Sequence, residues 1–76
     1  MMNLAKVFPM QEYPIYLLAD IMGCGPATIM RLIKKYEIPT FKKNTSRFIL
    51  RHDAIHLLML PDETCQKYFA FIKQNY

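Results

Sequence analysis

The sequence predicts a small α+β domain, and three observations carry that expectation. Two segments of helical apolar spacing, 15–22 and 26–35, flank a glycine turn, Gly23-Cys24-Gly25. Two short β-rich runs, Thr40 to Lys42 and Arg47 to Leu50, follow the helix-breaking Glu37-Ile38-Pro39. Two more helical patterns, from His52 and from Pro61, close the chain. Hydrophobic residues make up 53% of the 76, enough for one core and too many for disorder.

Residues 1–13 read as an extended N-terminal arm, because Pro9 and Pro14 disfavour a helix there. Ile15, Leu18, Ile21 and Met22 then share one helical face with Asp20 opposite, in a helix opened by Pro14 and closed at Gly23. Gly23 takes a positive φ without steric cost, as a sharp reversal between helices requires. Gly25 serves as N-cap and Pro26 as first residue of the second helix, which runs to about Lys35. Its inner face is Ile29, Leu32, Ile33 and Tyr36; Ala27, Thr28, Met30, Arg31, Lys34 and Lys35 look outward. The β-rich runs form a hairpin joined by Lys43-Asn44-Thr45-Ser46. A third helix over His52 to Leu60 buries Ile55, Leu58 and Met59. Pro61-Asp62-Glu63 starts the last one, whose stripe is Cys65, Phe69, Ile72 and Tyr76. The expected organisation is an arm (1–13), a helix-turn-helix with hairpin (14–60) and a C-terminal helix packed on the same domain (61–76).

Charge is concentrated. Arg31, Lys34, Lys35, Lys42, Lys43, Arg47 and Arg51 lie in one segment with a single acid, Glu37, whereas the whole chain is only +4. The remainder is therefore net negative, and the cationic field is local to the second helix and hairpin. Such a field on a small domain faces a polyanion, most commonly nucleic acid. Residues 1–10 hold no long apolar run and do not read as a signal peptide, and the stretch 15–22, interrupted by Asp20, is far short of a membrane span. Cys24 and Cys65 lack metal or redox spacing and read as reduced thiols. These features describe a soluble, intracellular protein without a membrane partner.

The stretch Leu18-Ala19-Asp20-Ile21-Met22-Gly23-Cys24-Gly25-Pro26-Ala27-Thr28-Ile29-Met30-Arg31-Leu32-Ile33-Lys34-Lys35-Tyr36-Glu37-Ile38-Pro39 resembles the opening of excisionase-type, MerR-like winged helix-turn-helix DNA-binding domains. The features in common are Ala19 in the first helix, Gly23 at the turn, Thr28-Ile29 with Arg31 and Ile33 in the second helix, and Ile38-Pro39 leading into the wing. Arg47-Phe48-Ile49-Leu50 is similar to the return strand of that wing. Gly25-Pro26 replaces the family's Ser-Arg type of helix start, Tyr36 stands where the family favours glycine, and the final helix lies beyond the common core. The resemblance implies a small winged helix-turn-helix that acts as a recombination directionality factor. Such a protein binds and bends attachment-site DNA, self-associates there, and directs an integrase or other recombinase. It also implies a bacterial or phage-encoded, nucleoid-associated protein of a prophage or mobile element.

A helix fits the B-DNA major groove, and residues on its exposed N-terminal half reach base edges. Ala27, Thr28 and Arg31 are the candidate readers, with Met30 beside them, and Lys34 and Lys35 meet phosphates. Lys42, Lys43, Asn44, Thr45, Ser46 and Arg47 make the wing contact, on the backbone or in an adjacent minor groove. Arg31 as a phosphate clamp and Thr28 as a plain surface residue remain open beside these roles. Phe41 and Phe48 read as hairpin core before stacking platforms. His52 and His56 lack a third ligand, so no metal is expected. Neither a cofactor nor catalysis is implied, since no nucleophile–base or paired-carboxylate arrangement is present. Two other functions fit the same residues: a small transcriptional regulator of a mobile element, and a protein-interaction module using Tyr68, Phe71 and Tyr76.

Overall fold

A computed structural model of the chain describes residues 4–75. The element order is α1 (Leu4–Val7), β1 (Glu12–Pro14), α2 (Ile15–Met22), α3 (Pro26–Lys35), β2 (Phe41–Lys43), β3 (Ser46–Leu50), α4 (Arg51–Leu58) and α5 (Glu63–Asn75). The domain is α+β, with an antiparallel three-stranded sheet in the order β1-β3-β2. Tyr13 pairs with Ile49 across β1 and β3, and Phe41 with Phe48 across β2 and β3. Among the described residues no single helix is long and apolar enough to cross a membrane.

The α2–α3 corner follows from its caps. Gly23 sits at φ 70°, and the Cys24 N–H donates to the Ala19 carbonyl at 2.9 Å and the Gly23 N–H to that of Asp20 at 3.2 Å. This double closure satisfies carbonyls that the helix end would otherwise orphan. Gly25 then caps α3, accepting from the Thr28 N–H at 3.0 Å, with Pro26 at the first helical position. The two helix axes are bent by 106° across the break. At the far end of α3 the left-handed residue is Glu37 (φ 53°), not Tyr36, and the Ile38 N–H closes onto the Ile33 carbonyl at 3.0 Å.

The N-terminal segment is not an extended arm. Residues 4–7 are helical, Val7 and Phe8 are buried, and β1 is the third strand of the sheet. Phe8 meets Tyr13 edge-to-face at 5.6 Å, and the fully buried Tyr13 hydroxyl accepts the Met10 N–H at 2.7 Å. That hydrogen bond lets a phenol enter an apolar core. The arm's apolar residues alternate too irregularly to show a period, yet the open edge of β3 supplies a partner for their backbone.

Two further differences concern register. The hairpin strands are Phe41–Lys43 and Ser46–Leu50, joined by Asn44-Thr45 alone, with Asn44 at φ 57°. Asn tolerates this left-handed conformation, so a tight two-residue reversal replaces the expected four-residue one. In α4 the buried face is Asp53, Ala54, Leu57 and Leu58, while Ile55 is half-buried and Met59 exposed. The helix begins at Arg51 with no loop after β3, and this junction selects the Ala54/Leu57/Leu58 stripe over the expected Ile55/Leu58/Met59. In α5, Cys65 and Ile72 are buried, with Tyr68 and Phe69 partly so; Tyr76 lies outside the described residues.

Candidate nucleic-acid interface

The core face of α3 is Ile29, Leu32 and Ile33, all buried. The 3.6-residue period therefore drives Ala27, Met30, Arg31, Lys34 and Lys35 outward, and each is exposed; Thr28 is half-buried at the edge. Arg31, with 55% of its side chain exposed, lies 3.7 Å from the Asp62 carboxylate, which is 13% exposed. The Lys35 ammonium lies over the Tyr36 ring at 5.4 Å. Lys34 has no hydrogen-bond, ion-pair or ring partner among the described residues.

The hairpin divides its cations between two faces. Strand alternation places Lys42 and Arg47 on the side of Ile49, beyond the edge of the core, and puts Phe41, Lys43, Phe48 and Leu50 on the other side. Lys42 and Arg47 are register partners, both exposed. Like charges directly opposite each other destabilise a strand pair, and no carboxylate among the described residues neutralises either one. Arg47 donates to the Thr40 hydroxyl at 2.9 Å, which orients it without reducing its charge. Asn44 and Thr45 form the exposed tip and Ser46 is half-buried.

Lys43 is engaged elsewhere. Its ammonium reaches the Glu12 carboxylate on β1, passing over the Phe48 ring at 5.5 Å. Phe41 and Phe48 are not hairpin core: they stack on each other at 5.8 Å on the outer face of the sheet, half-exposed and apart from the buried cluster. Burial of the apolar inner face is already completed by Tyr13 and Ile49, which leaves the cross-strand pair to shield itself.

Glu12, Thr40 and Asp62 are the residues of this surface that sequence reasoning missed. Only the cation-rich segment's own neighbours are visible along the chain, and Glu12 and Asp62 arrive from either side of it through folding. Asp62 also raises the Cys24 and Cys65 thiols, although burial is the larger cause in both; Cys65 is pushed up to about 11. Both cysteines are free thiols. His52 lies 3.5 Å from Asp53 at the start of α4, and no group of three metal-binding side chains occurs among the described residues.

No family model, curated protein or solved structure matches the chain.

Proposed function

We propose that the protein is a winged helix-turn-helix that binds duplex DNA sequence-specifically, with α3 as the recognition helix and the β2–β3 hairpin as the wing. The observation that carries the reading is the unneutralised Lys42–Arg47 pair, beside a recognition-type helix whose exposed side holds Arg31, Lys34 and Lys35. A small domain tolerates cross-strand repulsion of this kind where a polyanion relieves it. The 106° bend between two helices joined by a three-residue glycine turn supports this reading, since it falls within the angular range of a helix-turn-helix. Ten residues of α3 span about 15 Å, the scale of a major-groove contact.

In this reading Ala27, Thr28 and Arg31 face base edges, with Met30 alongside. Lys34, Lys35, Lys42 and Arg47 meet phosphates, and Asn44, Thr45 and Ser46 supply wing-tip polar contacts. The biological role that fits is a recombination directionality factor, with several copies binding and bending attachment-site DNA to direct an integrase. A transcriptional regulator of the same element is the nearest alternative, separated by whether bound sites cluster at an attachment site or at a promoter. The reading assigns the chain no catalytic step and makes it a cytoplasmic, nucleoid-associated protein, bacterial or phage-encoded.

Selection from a randomised duplex pool, followed by footprinting, tests the proposal. Enrichment of a defined motif is expected, with log affinity falling against log salt at a slope of about −3.5 to −4 for about four phosphates neutralised by Lys34, Lys35, Lys42 and Arg47. Recovery of no motif, with only salt-labile binding, refutes sequence-specific recognition.

A second reading rests on a groove of about 440 Å³ between α2 and α5, where Ile21, Met22, Cys24, Tyr68 and Phe71 make an apolar wall beside Thr64 and Lys67. Phe71 is 52% exposed and stacks on Tyr68 at 6.1 Å. A protein-interaction module using this face predicts partner binding that survives replacement of Arg31 and Lys34 by alanine.

A further inference from the structure

Asp62 is held on a rigid mount. Its Oδ2 accepts the Thr64 N–H at 3.0 Å, its carbonyl accepts the Gln66 N–H at 2.8 Å, and its own N–H donates to Leu60 at 2.8 Å. The other carboxylate oxygen, Oδ1, faces Arg31 Nη2 at 3.7 Å. That distance is long for a hydrogen bond but close enough for attraction, so the guanidinium keeps its donors for another acceptor. Capping α5 needs only an acceptor oxygen, which Asn or Ser supplies as well as Asp. The negative charge adds attraction for the positive end of the α5 dipole, and beside a cationic face it also opposes the approach of a polyanion.

Resting on the duplex-binding reading above, we infer that Asp62 is a specificity-determining positioning residue, whose carboxylate holds the Arg31 guanidinium in the pose from which α3 reads a base edge. An arginine free to roam loses rotamer freedom on binding any acceptor, and it clamps whichever phosphate is nearest. A fixed acidic neighbour removes part of that loss for one pose. It also repels phosphates from that spot, so random duplexes gain least. The same carboxylate thus favours cognate DNA and disfavours all other DNA.

The test compares Asp62→Asn, which retains the Thr64 acceptor, with wild type, Arg31→Ala and the double variant. Affinities for the selected duplex and for a random duplex are read by fluorescence anisotropy, with circular dichroism melts confirming the fold. Asp62→Asn should weaken cognate binding by about ten-fold while leaving random-duplex binding unchanged or tighter. In the Arg31→Ala background the same change should no longer alter the cognate-to-random ratio, which a merely structural role of Asp62 would still move. Asp62→Ser, a second uncharged cap, should reproduce the loss of discrimination. If wild type discriminates and Asp62→Asn leaves the ratio unaltered, or lowers it without Arg31, the inference is overturned and the DNA reading stands. If wild type does not discriminate between duplexes, both fall together.

Discussion

Lys43 and Glu12 meet across the full width of the sheet, tying the two outer strands together over the ring of Phe48. One wing cation is thereby partly neutralised by an acid that lies 31 residues away in sequence. Glu12→Gln should release it, raising duplex affinity a few-fold on every sequence and steepening the salt slope by about 0.9. Lys43→Ala should leave that slope nearly unchanged. The opposite pattern, a slope altered by Lys43→Ala alone, would show that the lysine leaves Glu12 when DNA binds.

Lys42 faces Arg47, so on the proposed DNA-binding reading the hairpin's stability and its binding oppose each other. Lys42→Glu converts a repulsive cross-strand pair into an attractive one and should stabilise the domain by about 0.2–1 kcal/mol in urea titrations. The same variant should bind duplex DNA at least about ten-fold more weakly. A variant both less stable and equally tight in binding would remove the wing from the interface.

Arg31→Ala should cost about 1–3 kcal/mol on selected DNA and relax discrimination at one base position. Binding titrations on single-position variants of the motif report this directly. An equal loss on all sequences would reassign Arg31 to the phosphate backbone.

The two turn glycines should respond differently to alanine. Gly23 has φ 70° and no atom within 4 Å of an added Cβ, so the penalty is conformational alone, about 1–2 kcal/mol. Gly25, at φ −82° and ψ 154° with similarly open space, should accept alanine with a smaller loss, that of an N-cap preference. Chemical denaturation of the two variants separates these cases, and equal costs would contradict the left-handed assignment of Gly23.

Cys65 gives the fold an alkaline limit. Burial, then the neighbouring Asp62 charge and the Cys24 thiol, push its pKa from 9.0 to about 11, with Arg31 acting in the opposite sense. The folded state thus keeps a proton that the unfolded chain releases. The resulting stability is complete below pH 9 and is lost as pH rises from 9 toward 11. Denaturation midpoints should fall more steeply over that interval for wild type than for Cys65→Ala; parallel curves would count against this.

Much of the helical framework was legible because it is written in short-range terms. Pro14, Gly23, Gly25 and Pro26 mark the ends of α2 and α3 through their own backbone preferences, and Ile29, Leu32 and Ile33 define the buried side of α3 by spacing alone. The outward set of Ala27, Met30, Arg31, Lys34 and Lys35 followed from the same period, with Thr28 half-buried at its edge. By contrast, β1 gave no strand signal: three residues ending in proline form a strand only because β3 offers an edge. The α4 stripe was misplaced because Ala54/Leu57/Leu58 and Ile55/Leu58/Met59 are both helical spacings, and only the junction with β3 chooses between them.

Local chemistry alone therefore determined the ends of α2, the start of α3, the glycine corner and the cationic stretch, since caps, turns and apolar periods act over a few neighbouring residues. Tertiary structure decided which of those cations have an acid beside them. Glu12 and Asp62 lie outside the basic segment, and only chain closure brings them to Lys43 and Arg31. Coulomb attraction depends on distance in space, so a charge pattern read along the chain counts the cations without showing which are already matched.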